Sequence, residues 1–137
     1  MVKILKKRLK DQRGLTLIEL LAVIVILGII AAIAIPSIGN IIAKSEFDAS
    51  KADAVQIYNA ANLYLSSEGS AAHGTYSSST ATDTDLLQYL EISDDNLETW
   101  SVTIAASGIT VTASSTDTGF GVEDANLEEI NEKKFGE

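Results

Sequence analysis

The 137-residue chain has no cysteine, one histidine and one proline. Without cysteine it can form neither a disulfide framework nor a thiolate metal site. The only histidine, His73, lies in a stretch rich in Ser, Gly and Ala, which favours a solvated loop residue over a catalytic one. These absences give no support for an enzyme, a cofactor or a metal centre.

Positive charge is scarce over most of the chain. Six of the ten Lys and Arg residues precede Leu15, and the rest of the chain carries four basic and eighteen acidic residues, a net charge of −14. The acidic body argues against a nucleic-acid site there, because such binding depends on Lys and Arg contacts with phosphates. The basic head is typical of the cytoplasmic side of a membrane-inserting segment.

A continuous apolar run follows the basic head. Residues Leu15–Ile35 comprise 21 residues with one charge, that of Glu19. About 20 apolar residues in a helix suffice to cross the hydrocarbon core of a bilayer. The run therefore predicts a transmembrane helix, and Pro36 marks its end.

Beyond Pro36 the pattern becomes amphipathic. Apolar residues recur at spacings of three and four, which predicts a helix that stops at Gly69. The predicted apolar stripe consists of Ile38, Ile41, Ile42, Ala49, Ala52, Val55, Ala61 and Leu65.

The remaining residues predict a small sheet. Thr99–Ala105 and Ile109–Ser114 alternate apolar and polar residues around Ser107-Gly108, which indicates a hairpin. We expect Phe120–Val122 to join this sheet and the last residues to fray. Before it, residues 70–84 read as an irregular connection, and Asp85–Ile92 predicts a short helix with Asp85 as its N-cap.

The fold class that follows is α+β: a long N-terminal helix, membrane-spanning in its first half and amphipathic in its second, packed against a small antiparallel sheet. Trp100, Tyr58 and Tyr64 are expected in its core rather than in a ligand site. The predicted segments are a basic head (1–14), a hydrophobic helix (15–36) and a globular domain (37–137), the last divided into an amphipathic helix (37–68), a connecting loop (69–98) and a sheet with an acidic tail (99–137).

Two features of the acidic residues bear on function. Asp83, Asp85, Asp94, Asp95 and Glu98 lack the central Gly and terminal Glu of a calcium-binding loop, so turn and cap roles are favoured over a metal site. Glu19 differs from them because an ionisable group inside a membrane helix points to a function when a partner can be named.

A partner for Glu19 arises if the chain is cut between Gly14 and Leu15. The new α-amine would lie four residues before Glu19 on the same helical face, in the same chain or a neighbouring one. The alternative is a glutamate that reaches the lipid headgroups from a helix end.

The segment RGLTLIELL (13–21), preceded by lysines and followed by the apolar run, resembles the cleavage and methylation motif of type IV prepilins and pseudopilins. The likeness covers about the first 40 residues. It implies that a membrane-embedded aspartyl prepilin peptidase cuts after Gly14 and methylates the amine of Leu15. It also implies that Glu19 sets the register between neighbouring subunits, and that the helix can stretch at Gly28 and Pro36.

The resemblance further implies a pilin-like fold, partners and a location. The partners are the peptidase, copies of the chain or other pilins in a filament, an inner-membrane assembly platform and, before assembly, the cytoplasmic membrane. The precursor would cross that membrane once with its N-terminus in the cytoplasm, and the filament would be extracellular. Leu15 stands where Phe is commonest in the family, and the C-terminal Cys pair of many pilins is absent.

Other interpretations remain open. A pseudopilin of a type II secretion or competence system has the same subunit plan. A conventionally secreted acidic binding protein would use Ala32-Ile33-Ala34 as a signal-peptide cleavage site. Against it, Glu19 interrupts the apolar core and a helical pattern continues past Pro36. A membrane-anchored protein that never polymerises is the third alternative.

Overall fold

The computed structural model describes residues 16–79, 84–90 and 96–137. Its fold is α+β, as predicted, with one long N-terminal helix and a four-stranded antiparallel sheet. In chain order the elements are α1 (Leu17–Glu68), a 3₁₀ turn (Gly69–Ala72), β1 (Gly74–Ser77), α2 (Thr84–Leu87), β2 (Thr99–Ala105), β3 (Gly108–Ser115), β4 (Phe120–Ala125) and α3 (Leu127–Glu132). The chain forms two compact units, with the boundary between Asn40 and Ile41.

From Leu17 onward, helix α1 joins the two predicted helical segments in one run of 52 residues, with Pro36 inside it. It ends at Glu68, and Gly69 follows with a φ of +62°. This left-handed conformation carries little steric penalty for glycine and is common just past a helix end. The predicted stop at Gly69 is therefore confirmed.

The buried face of α1 differs from the predicted apolar stripe. Its buried residues are Phe47, Ser50, Asp53, Ala54, Ile57, Ala60, Ala61 and Tyr64. Of the predicted stripe, Ala61 is among them, and Val55 and Leu65 pack against the core half-buried. Ile41 and Ile42 are more than half exposed. The predicted stripe gave weight to alanines and left out Phe47 and Ile57, and it did not include Tyr64 although that residue was expected in the core. These large side chains orient the helix because their burial removes far more apolar surface from water.

The sheet has the strand order β1-β2-β3-β4, and all neighbours are antiparallel. The predicted hairpin is confirmed, since β2 spans Thr99–Ala105 and Ala105 pairs with Gly108 across the turn. Phe120 begins β4, which confirms that this segment joins the sheet. The alternating residues Trp100, Val102, Ile104, Ile109, Val111 and Ala113 are buried and join the α1 residues in one core.

Sequence reasoning missed β1, which lies in the segment expected to be irregular. Its four residues, Gly74–Ser77, pair with β2 from Gly74↔Ile104 to Ser77↔Ser101. The segment is too short and polar to show a clear alternation, and only its partner strand supplies the hydrogen bonds that make it a strand.

The predicted helix over Asp85–Ile92 is wrong in its extent. Helix α2 begins at Thr84 and ends at Leu87, so Asp85 lies inside the helix rather than preceding it as an N-cap. Gln88 and Tyr89 form a turn, with the Tyr89 N–H bonded to the Leu86 carbonyl at 3.0 Å. Leu86 is fully buried and anchors this segment in the core.

The expectation that the last residues fray is wrong as far as Phe135, because this segment contains a short helix that the sequence did not predict. Helix α3 begins with a capping box: the Asn126 side chain accepts from the Glu129 N–H at 3.1 Å, and the Glu129 carboxylate accepts from the Asn126 N–H at 2.8 Å. Ile130 is fully buried beneath this helix. Past the helix, the Phe135 ring packs edge-on against Phe47 with centroids 5.6 Å apart.

Two buried polar residues of α1 hold the loops on either side of the hairpin. The Ser50 hydroxyl lies 2.8 Å from the Asn96 carbonyl and 3.0 Å from the Thr118 hydroxyl. The Asp53 carboxylate accepts from the Asn96 side-chain amide at 2.8 Å. Because buried polar groups need hydrogen-bond partners, these bonds fix where both loops cross the helix.

Candidate functional site

Thr16 and Glu19 form a closed hydrogen-bonded pair at the start of α1. One carboxylate oxygen of Glu19 accepts from the Thr16 N–H at 2.7 Å and from the Thr16 hydroxyl at 3.0 Å. The Thr16 hydroxyl in turn accepts from the Glu19 N–H at 3.3 Å. This reciprocal arrangement is a capping box, which satisfies backbone donors that a helix start leaves unpaired.

The capping box gives Glu19 a partner that sequence reasoning did not identify. The signal was present as T-x-x-E at the head of an apolar run, the usual capping-box pattern. A carboxylate in the first turn is further stabilised by the positive end of the helix dipole. Both partners lie on the C-terminal side of the predicted cleavage point, so the pair uses no group that cleavage would remove.

Of the predicted site residues, Gly14 and Leu15 lie outside the residues that the structure describes. Pairing between a cleaved Leu15 amine and Glu19 therefore stays a prediction. Gly28 and Pro36 both lie inside α1. Pro36 has no N–H to donate to the carbonyl one turn earlier, that of Ala32, so the helix is weakest there. Gly28 adds a position of low helix propensity.

The apolar side chains of the first part of α1 are exposed. The large ones between Leu17 and Ile35 range from 49% exposed at Val23 to 87% at Leu17. By length and composition the helix could cross a membrane. An unbroken apolar helix with this exposure needs lipid or other apolar helices around it, because nothing else removes so much surface from water.

The other residues considered from sequence have ordinary structural roles. His73 is exposed and caps the 3₁₀ turn through its N–H. Trp100 and Tyr64 are buried in the core, and Tyr58 packs against it half-buried, as predicted. Glu98 accepts from the Thr116 hydroxyl at 2.7 Å. Asp83, Asp94 and Asp95 lie outside the described residues.

Two comparisons with known proteins give matches. Residues 9–35 match the family model of the prokaryotic N-terminal methylation motif. The type IV major fimbrial proteins FimA of Dichelobacter nodosus and of its strain VCS1703A are each 44% identical to this chain over 68 residues.

The resemblance to type IV pilin precursors is confirmed. The matched stretch covers 46% of this chain and 42% of each fimbrial protein, so the chain spans less than half the length of the curated relatives it matches. No solved structure matches the chain significantly. The capping box and the exposed apolar stretch of α1 thus lie within the segment that matches the methylation-motif model.

Proposed function

We propose that this chain is a structural subunit of a type IV pilus-like filament. A prepilin peptidase cuts it after Gly14 and methylates Leu15. Before assembly the mature subunit lies in the cytoplasmic membrane, with its N-terminus on the cytoplasmic side. An assembly platform then adds it to an extracytoplasmic filament, in which α1 packs against α1 of neighbouring subunits.

The observation that carries this proposal is the exposed apolar stretch of α1. Its large side chains lack cover within the described part of the chain, and the stretch carries a single charge. Lipid covers them before assembly, and the same stretch of neighbouring copies covers them in the filament. The match to a methylation-motif model and to two fimbrial proteins supports this reading over that of an ordinary anchor.

The charge of Glu19 concerns the axial position of one α1 helix against its neighbour in the filament. Contacts among Leu, Ile and Val tolerate sliding, so they cannot fix how far one helix is displaced along another. We propose that the Glu19 carboxylate, already held by Thr16, also receives the cationic Leu15 amine of an incoming subunit. Its second oxygen and remaining lone pairs leave room for that contact, and a paired charge in an apolar interior fixes the register.

A pseudopilin of a secretion or competence system is the second candidate, since it uses the same motif and helix. The major fimbrial proteins among the matched relatives favour a pilus subunit. A conventionally secreted protein would lose Thr16 and Glu19 with its signal peptide.

The proposal is tested by expressing the precursor with a prepilin peptidase and measuring the mass of the mature N-terminus. We expect an N-methylated chain that begins at Leu15, together with filaments that can be sheared from cells. A mature chain that begins after Ala34 would show conventional secretion. An uncut chain, or a mature one that never leaves the membrane, would contradict the filament proposal.

A further inference from the structure

The four lysines that follow Leu15 all line one open cavity of the globular unit. That cavity measures about 400 Å³ and is lined by Lys44, Asp48, Lys51, Lys133, Lys134 and Phe135. Four ammonium groups thus face one carboxylate, in a part of the chain whose net charge is −14. We call this site the lysine pocket.

The pocket is assembled from two parts of the chain that lie far apart in sequence. Lys44, Asp48 and Lys51 are spaced four and three residues apart, so they lie on one face of α1. The Lys51 ammonium group donates to the main-chain carbonyls of Asn131 and, at 3.0 Å, Lys133. This holds the residues that follow α3 against the helix.

An aromatic contact fixes the other side of the pocket. The Phe135 ring meets the buried Phe47 edge-on, while 44% of Phe135 stays exposed. The pocket therefore joins an apolar surface to a group of cations. Among the residues that the structure describes, the ammonium groups of Lys44, Lys133 and Lys134 make no hydrogen bond or ion pair.

We propose that the lysine pocket receives an acidic surface of a neighbouring copy of this chain. The inference rests on the proposed filament function. The globular unit carries four lysines and seventeen acidic residues, so neighbouring units with a net charge of −13 each repel one another when packed closely. Because the pocket holds every lysine after Leu15, and no arginine follows it, a pairing of Lys or Arg with a carboxylate between two globular units must use this pocket. Every copy carries exposed carboxylates that such a pocket can bind, among them Glu68, Asp117 and Glu123.

Carbodiimide cross-linking of sheared filaments tests the contact directly. The reagent joins a lysine amine to a carboxylate only when the two touch, and the mature chain has just four lysines. Filaments assembled from mixed ¹⁴N and ¹⁵N subunits distinguish links between copies from links within one copy. We expect inter-copy links at Lys44, Lys133 or Lys134, and their loss in the K44Q/K133Q/K134Q variant. Filaments that form without such links would overturn the proposal and leave the filament function intact.

A second arm measures what the pocket contributes to assembly. We expect K133Q/K134Q to reduce filament yield about tenfold, since the variant removes two of the four cations that attract the acidic surface of the neighbouring copy. Mature protein in the membrane should stay unchanged. The matched control N59E/N62E shifts the net charge by the same amount on exposed positions of α1 away from the pocket.

The outcomes distinguish a contact between copies at the pocket from an effect of net charge and from nucleic-acid binding. An equal loss in both variants would show an effect of net charge and overturn the proposal. A second contrary result is a normal filament yield from K133Q/K134Q together with loss of the binding of a fluorescent DNA duplex that wild-type filaments show. That result would overturn the proposal and indicate that the pocket binds nucleic acid. Wild-type protein that forms no filaments would overturn this proposal and the filament function together.

Discussion

Replacing Glu19 by two different residues separates its two proposed roles. Gln removes the charge but keeps an oxygen that can accept the Thr16 N–H, as Gln does in other capping boxes. Ala removes both the charge and the cap. If the charge sets the register between subunits, Glu19→Gln and Glu19→Ala should both abolish filaments while leaving cleavage and membrane insertion intact.

The loss of the cap and the loss of the charge differ in their expected size. The cap consists of the reciprocal bonds between Thr16 and Glu19 at 2.7, 3.0 and 3.3 Å. Loss of an N-cap destabilises a helix by about 0.5–2 kcal/mol. A Leu15 amine left without its carboxylate in an apolar interior costs several kcal/mol per subunit contact. The charge effect therefore exceeds the cap effect, and loss of the cap alone should reduce assembly only modestly.

The assay expresses each variant as the only copy and compares sheared filaments with mature protein in the membrane. Thr16→Ala removes the hydroxyl of the cap and keeps the charge, and Thr16→Ser is its matched control because it keeps both. We expect a modest decrease for Thr16→Ala and near-normal filaments for Thr16→Ser.

One pattern would refute the register argument. Normal filaments from Glu19→Gln, with loss in both Glu19→Ala and Thr16→Ala, would show that Glu19 acts only by starting the helix. Normal filaments from Glu19→Ala would show that the carboxylate serves neither purpose in assembly.

Three further predictions follow from other residues. Gly14→Leu should block maturation, because the peptidase needs an extended and unhindered bond, and the precursor should keep its slower gel mobility. In a filament reconstruction we expect Gly28–Pro36 to be partly unwound, because Pro36 has already removed one helix hydrogen bond. Asp53→Ala should destabilise the globular unit by about 1–3 kcal/mol, since it leaves the Asn96 amide without its partner. That loss lowers Tm by about 4–8 °C per kcal/mol for a domain of about this size.

Each of these has a control or a contrary result. Efficient processing of Gly14→Leu would remove the cleavage assignment. An unbroken helix through Ala32–Ile35 in the filament would refute the unwinding. Glu46→Ala is the control for Asp53, because Glu46 is an exposed acidic residue of the same helix and lies outside the lysine pocket. Equal Tm values for the two variants would show that the Asp53 bond contributes nothing to stability.

Local chemistry was enough to predict several parts of this protein. A long apolar run with a single charge must be covered by lipid or by the same run of other copies. The sequence of Leu15–Ile35 therefore predicts a membrane or a helix bundle as its surroundings. Gly69 stopped α1 because glycine alone enters the left-handed region at little cost. The alternating pattern of Thr99–Ala105 had one suitable partner across a short turn, and the hairpin formed there.

The tertiary structure alone decided which side of α1 is buried. Several faces of the helix carry apolar residues. The face with Phe47, Ile57 and Tyr64 is the buried one, because these large side chains pack in one core with the large apolar residues of the sheet. Strand β1 exists only through its pairing with β2, since a short polar segment has no local reason to be extended. The same holds for the residues after α3, whose position depends on contacts with distant residues of α1.

The lysine pocket shows why a site formed by residues far apart in sequence could not be predicted. Lys44 and Lys51 are separated from Lys133 and Lys134 by more than 80 residues, and nothing in the local sequence joins them. Contacts between distant segments depend on the whole packed core, because the cost of closing such a long loop is met only by many long-range contacts together. The capping box, by contrast, joins Thr16 to Glu19 three positions further on, and the T-x-x-E pattern of the sequence is enough to predict it.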